Sequence, residues 1–110
     1  MSGRKRIETF KRDNVLVDII FQHKGKENAI GTQELILAMN ERGYKVSKDH
    51  LHGVVAKVTT ERRLPICSAV HRGYWWATSK QDLQVAINEL EDKIQALQER
   101  VDLLKSFVIE

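Results

Sequence analysis

Apolar residues recur along this chain with three different spacings, and each spacing predicts a different element. Val15, Leu16, Ile19 and Ile20 follow Asp13-Asn14 at helical intervals, and Gly25 stands where such a helix stops. A first helix is therefore expected to start at Asp13, with Phe10 bracing its beginning. After the polar turn KGKENA, Ile30 is placed for one short edge pairing. Thr32 then reads as the cap of a second helix with Glu34 in its first turn; Leu35, Ile36 and Met39 form its apolar face and Gly43 ends it. The link GYKV is short. Ser47 reads as the next N-cap, opening KDHLHGVVAKVTTERR with Leu51, Val54, Val55 and Val58 on one side. Helix, tight turn and capped helix make the helix-turn-helix pattern.

Pro65 stops any helix, and Ile66 to Val70 has the β-branched and small residues of a strand. HRG makes a turn and YWWAT reads as a second strand, which gives a hairpin. Strand alternation sends Tyr74 and Trp76 to one face and Trp75 with Ala77 to the other. A two-stranded hairpin is marginal alone. Ile66, Tyr74 and Trp76 are accordingly expected to cover the helices, leaving Trp75 facing outward or towards the tail.

The third spacing begins after Ser79, a cap with Asp82 at the third helical position. Leu83, Ile87, Leu90, Ile94, Leu97, Val101, Leu104 and Val108 alternate steps of four and three. In coiled-coil lettering Ile87, Ile94, Val101 and Val108 are a positions, and Leu83, Leu90, Leu97 and Leu104 are d positions. β-Branched a residues with leucine at d favour a parallel two-stranded coil. A helix of ~30 residues extends ~45 Å, beyond a domain of this size, so the first turns, with Val85 and Ala86, are expected to pack on the domain and the remainder on a partner. Pair orientation stays open. Arg100 would meet Lys105 of the partner in a parallel pair, and Lys93 would meet Arg100 in an antiparallel one.

Length and charge narrow the picture. With 110 residues the chain is read as one domain plus one appended element. Residues 1–12 hold five basic residues against Glu8, a local balance of +4, while residues 79–110 hold four basic and seven acidic, or −3. Such asymmetry suits a module that meets a polyanion with its front and something else with its tail. The single cysteine allows no internal disulfide, and no apolar run reaches the ~18 residues a membrane span needs. The expected setting is the interior of a cell.

The strings RGYKVSKDHLHGVVAKV and RRLPICS…HRGYWWA carry a resemblance. The first resembles the turn and recognition helix of the winged helix-turn-helix superfamily. The second is similar to the strand, wing and strand of its DeoR-type and biotin-repressor-type branch, with Leu64-Pro65-Ile66 and Gly73-Tyr74-Trp75-Trp76 in the places that flank the wing. A small basic unit with a short wing and a helical tail also resembles regulators of bacteriophages and prophages. The resemblance covers roughly residues 13–78 and implies a DNA-binding protein of the bacterial cytoplasm, associated with the nucleoid.

On a third helix whose buried side is Leu51, Val55 and Val58, the opposite side holds Asp49, His52, Gly53, Ala56, Lys57 and Thr60, with Lys48 at the start. Small Gly53 and Ala56 let a helix approach base edges; His52, Lys57 and Thr60 offer hydrogen bonds. The same residues also suit an ordinary solvated face. Arg62, Arg63 and Arg72 are candidate phosphate clamps, which position without reading sequence. Arg4, Lys5 and Arg6, with Lys11 and Arg12, are candidates for a flexible arm on phosphates or in the minor groove, or for a solubilising end. His50, His52, Cys67 and His71 include one HxH and one CxxxH, but zinc sites in short chains show paired close ligands, and a lone cysteine is most often a small buried hydrophobe. Without paired carboxylates, a phosphate loop or a nucleophile triad, no enzyme and no cofactor is expected.

The expectation is therefore a mainly α protein with a small β-hairpin: a basic arm over 1–12, a winged helix-turn-helix over 13–78 and a coiled-coil helix over 79–110. Its expected partners are double-stranded DNA and a second copy of itself, with no membrane and no small-molecule substrate. The rivals are a winged helix that binds a protein, and a DNA-bound replication or packaging adaptor.

Overall fold

The computed structural model describes residues 2–109, with side chains described from Arg6 to Ile109. Four α-helices, one short 3-10 turn and one antiparallel hairpin make up these residues: α1 (Ser2–Phe21), α2 (Thr32–Glu41), α3 (Lys48–Arg62), β1 (Ile66–Ala69), β2 (Gly73–Trp76) and α4 (Lys80–Ser106). The protein is mainly helical, with a long C-terminal helix.

α1 begins at Ser2 and runs unbroken through Asp13, where a helix start was expected. The reason lies in the Asp13 side chain, which does not cap. It is buried, and its carboxylate receives the Arg12 guanidinium at 3.1 and 3.2 Å and lies 3.9 Å from Lys57 Nζ on α3. Arg, Lys and Glu in the preceding turns are good helix formers, so nothing interrupts the helix. Residues 2–12 are thus helical in backbone and do not form an extended arm, and the composition boundary after residue 12 falls inside α1. Phe10 is exposed and lies under the Arg62 guanidinium.

α2 starts one residue earlier than its sequence cap suggests: extended Gly31 is the N-cap, and its carbonyl accepts from Leu35 N–H at 2.9 Å. Thr32 is the first helical residue instead. Gly43 reverses the chain with φ 90°, and Tyr44 N–H donates to the Met39 carbonyl at 2.9 Å, a glycine-terminated helix end. Ser47 caps α3 as expected, its Oγ accepting from His50 N–H at 3.2 Å. Arg63, in the left-handed region at φ 55°, ends α3.

One core gathers Leu16, Ile19 and Ile20 of α1, Leu35 and Met39 of α2, Leu51, Val54, Val55 and Val58 of α3, and Ile30, Ile66 and Tyr74. The hairpin pairs Ile66 with Trp76, Cys67 with Trp75, Ser68 with Tyr74 and Ala69 with Gly73. Both strands are shorter than expected. β1 stops at Ala69 because Val70 N–H donates to the Glu89 carboxylate of α4, at 2.9 and 3.1 Å. β2 is paired on its second edge as well: Ile30 exchanges two 2.8 Å bonds with Tyr74, and Trp76 N–H donates to His23 O at 2.8 Å. That second edge dictates Gly73, whose φ is 101° and where a Cβ would lie 2.0 Å from Ile30 O.

The two faces of β2 bury against different partners. Tyr74 enters the helical core, with half-buried Trp76 at its margin, edge-on to Phe21 at 5.0 Å. Trp75 points the other way and is the larger lid. It is wholly buried with Cys67 and Ala86, flanked by Ala29, Ala69, Ala77 and Val85. α4 is seated there by its first turns. Ser79 Oγ caps it, accepting from Asp82 N–H at 3.1 Å, and buried Asp82 accepts from Thr78 N–H at 2.9 Å, Thr78 Oγ1 at 3.1 Å and Lys26 N–H at 3.2 Å. These backbone hydrogen bonds, from Thr78 first and then Lys26, hold the Asp82 carboxyl below the usual carboxylate range.

Beyond Leu90 the rest of α4 is exposed all round. It ends at Ser106 and not near residue 109: Phe107 is extended, so the last expected a residue, Val108, lies outside the helix. The radius of gyration is 16.8 Å, against about 13 Å for a compact chain of this length, because this helix projects.

Candidate functional site

α3 presents three zones. Its outward ridge is Asp49, Gly53, Ala56 and Thr60, all exposed, and nothing lies within 4 Å of a Cβ built on Gly53. The ridge is low, so a flat or grooved partner can come within contact of the backbone.

On the side towards α1, the basic groups expected to reach DNA are held in the fold. Lys57 lies by Asp13; Arg62 donates to Asn14 Oδ1 at 2.7 Å and sits over Phe10. Arg12 approaches His50, with Nη1 3.4 Å from Nε2. These contacts lock α1 across α3 and occupy one of the expected phosphate clamps, Arg62, together with Lys57 of the expected reading face. Arg63 remains on the exposed surface at the helix end. Of the basic leader, Arg6 is exposed beside Ile7 and Phe10 on α1, whereas the side chains of Arg4 and Lys5 lie outside the described residues.

On the side towards the hairpin, His52 meets Tyr74: its Nδ1 is hydrogen-bonded to the phenol oxygen, and the rings are 5.8 Å apart. Burial pushes the Tyr74 phenol up to about 12, partly countered by the Thr32 hydroxyl. A groove of about 510 Å³ opens here between the starts of α2 and α3, the hairpin turn and α4. Lys48 and His52 line one wall, Glu89 and Lys93 the other. Arg72, the expected clamp at the hairpin tip, also lines it but turns back to donate to the Lys26 carbonyl at 3.3 Å.

Four residues of this groove were not legible in the sequence as parts of a site. Thr32 reads as a cap and Tyr74 as core, and only the packing of α2 against β2 puts both behind His52. Lys93 and Glu89 read as surface residues of a coiled coil; the seating of α4 on the hairpin brings them to the groove.

The predicted seam of α4 is a single exposed stripe: Leu83 and Ile87 half-covered beside the hairpin, then Leu90, Ile94, Leu97, Val101 and Leu104 on the projecting part. Leu103 and Phe107 add exposed apolar surface outside it. Among the described residues no three His, Cys, Asp or Glu side chains converge to hold a metal ion, and Cys67 is buried, its thiol pushed up to about 11 by that burial. No helix among them is long and apolar enough to cross a membrane. Compared with known proteins, the chain matches no family model, and neither a curated protein nor a solved structure is significantly similar to it.

Proposed function

We propose that this chain is a sequence-specific DNA-binding protein of winged helix-turn-helix type, a transcriptional regulator that acts as a homodimer. The observation that carries the reading is the low outward ridge of α3, Gly53 and Ala56 between Asp49 and Thr60, exposed next to a hairpin. A duplex major groove admits a helix whose central residues are small. His52 and Lys48 flank the ridge on the hairpin side, and Arg63 stands at its end. The apolar stripe of α4 fits a second copy, since a seam of alternating a and d residues is self-complementary. Two weakly basic reading helices then bind two half-sites together, which raises the affinity beyond that of one.

Selection from a random duplex pool with the full chain, followed by a salt titration on an enriched site, tests the reading. A palindromic motif whose affinity falls steeply with salt is the expected result; no enrichment, with salt-insensitive retention only, would overturn it. A protein-binding role is favoured by one observation: Lys57 and Arg62 are engaged with α1, while Ile7 and Phe10 are exposed beside them. Under that reading the duplex pool yields nothing, and Phe10→Ser abolishes capture of a protein partner.

A further inference from the structure

We propose that the groove between α3, the hairpin and α4 is a binding site for a phosphate group, with His52, Lys48 and Lys93 as its donors and the Tyr74 phenol as the group that aims His52. The site does not require the DNA reading. A phosphate could be presented there by a duplex backbone or by a free phosphorylated compound.

Charge and size come first. The groove's volume, about 510 Å³, lies in the range that encloses small ligands. Lys48, Arg72 and Lys93 place three fixed positive charges on its lining against the single carboxylate of Glu89. Both Glu89 oxygens already accept the Val70 N–H, which spends part of that carboxylate's acceptor capacity on the hairpin turn.

The hydrogen-bond direction follows from the buried phenol. Burial raises the Tyr74 phenol, which keeps its proton through the neutral range. In the proposed site that O–H is directed at its hydrogen-bond partner, His52 Nδ1. A neutral imidazole whose Nδ1 accepts carries its proton on Nε2, and a protonated one carries it there too. His52 therefore offers Nε2–H as a donor in either charge state. One imidazole N–H and two ammonium groups, from both walls of the groove, supply donors and no acceptors. That set matches a tetrahedral anion with several equivalent oxygens. Seating one would tie the start of α3 to α4 and so couple the outward ridge to the projecting helix.

The test is NMR of the isotope-labelled full chain, titrated with inorganic phosphate against chloride at matched ionic strength, then with a short mixed-sequence duplex. Saturable phosphate shifts at Lys48, His52 and Lys93, weakened about tenfold in Lys48→Gln/Lys93→Gln, are expected; both positions are exposed, so the variant folds. The imidazole nitrogens of His52 should report the Nε2–H tautomer, and Tyr74→Phe, which keeps the buried ring and removes only the hydroxyl, should mix the tautomers and weaken phosphate. A duplex that displaces phosphate from these residues identifies a backbone phosphate as the occupant, and one that leaves them unmoved identifies a free compound. Phosphate shifts without any duplex binding would keep the groove and remove the DNA reading. No saturable phosphate shift overturns the groove proposal, even where a duplex binds along the α3 ridge.

Discussion

Leu16, Leu35 and Leu51 in the body of the protein are wholly buried, whereas Leu90, Leu97 and Leu104 on α4 expose 59%, 55% and 66% of their surface. All six are helical leucines on apolar stripes, so neither residue type nor helix formation separates them. The body's stripes face one another around a shared core, and each helix covers the others. α4 has such cover only over its first turns, where Asp82 is pinned by Thr78 and Lys26 and where Ala86 meets Trp75. Past that seat it carries a seam that buries against nothing among the described residues. A contiguous apolar strip of that length is the surface on which the proposed dimer rests. The lesson is that a stripe's spacing tells how a helix is to be covered, and the number of neighbouring elements tells by whom.

Four experiments test this contrast. The largest effect is expected at Trp75, which joins body and tail: Trp75→Ala should cost ~3–5 kcal/mol in chemical denaturation and loosen α4, and a near-neutral result would mean that the two regions are not joined there. Gly73→Ala comes next, at least about 2 kcal/mol, because its φ is left-handed and the new methyl would meet Ile30 O at 2.0 Å; full retention of stability would show that β2 needs no second edge.

Leu90→Pro with Leu97→Pro should leave the body's melting transition within ~1 kcal/mol of the parent once dimerisation is removed, since those residues touch nothing in it, while sedimentation shows monomers at every concentration. A persistent dimer would place the interface on the body, with exposed Ile7 and Phe10 as the first place to look. The smallest effect is electrostatic. Asp82 is held below its ordinary 3.8 in the folded protein, so its stabilisation is complete above that ordinary value and is lost as pH falls through the folded value. Below about pH 4, α4 should lift from the hairpin before the core unfolds, and hydrogen exchange at Trp75, Cys67 and Ala86 should rise first. Simultaneous exposure of Leu16 and Leu35 would mean that seat and core melt as one.

Much of this was readable from residue order. The buried faces of α2 and α3, the Ser47 and Ser79 caps, the Ile30 edge pairing and the seating of Val85 and Ala86 follow from period and cap chemistry, which act over a few residues. The start of α1 was misread because Asp13 has the chemistry of a cap, and only the approach of Lys57 and Arg12 turns it into an ion-pair partner inside a helix. Trp76 was expected in the core as the lid. The alternation was right, but Trp76 falls at the margin beside Phe21, and Trp75 on the opposite face is the residue buried completely. The candidate site divides in the same way: Asp49, Gly53, Ala56 and Thr60 lie on one ridge as helical periodicity requires, whereas Lys57, Arg62 and Arg72 are drawn into contacts that no local pattern encodes.

Residue order was enough to place α2, α3, α4 and the hairpin with its two faces, because those depend on the spacing of apolar groups and on side chains that hydrogen-bond their own backbone. Which charges stay available and which groups meet came only with the packing of these elements. Asp13 with Lys57, Tyr74 with His52, and Glu89 with Val70 are encounters across 19 to 44 residues of chain. Electrostatic and hydrogen-bond partners are set by distance in space, and distance in space exists only after the hydrophobic faces have closed on one another.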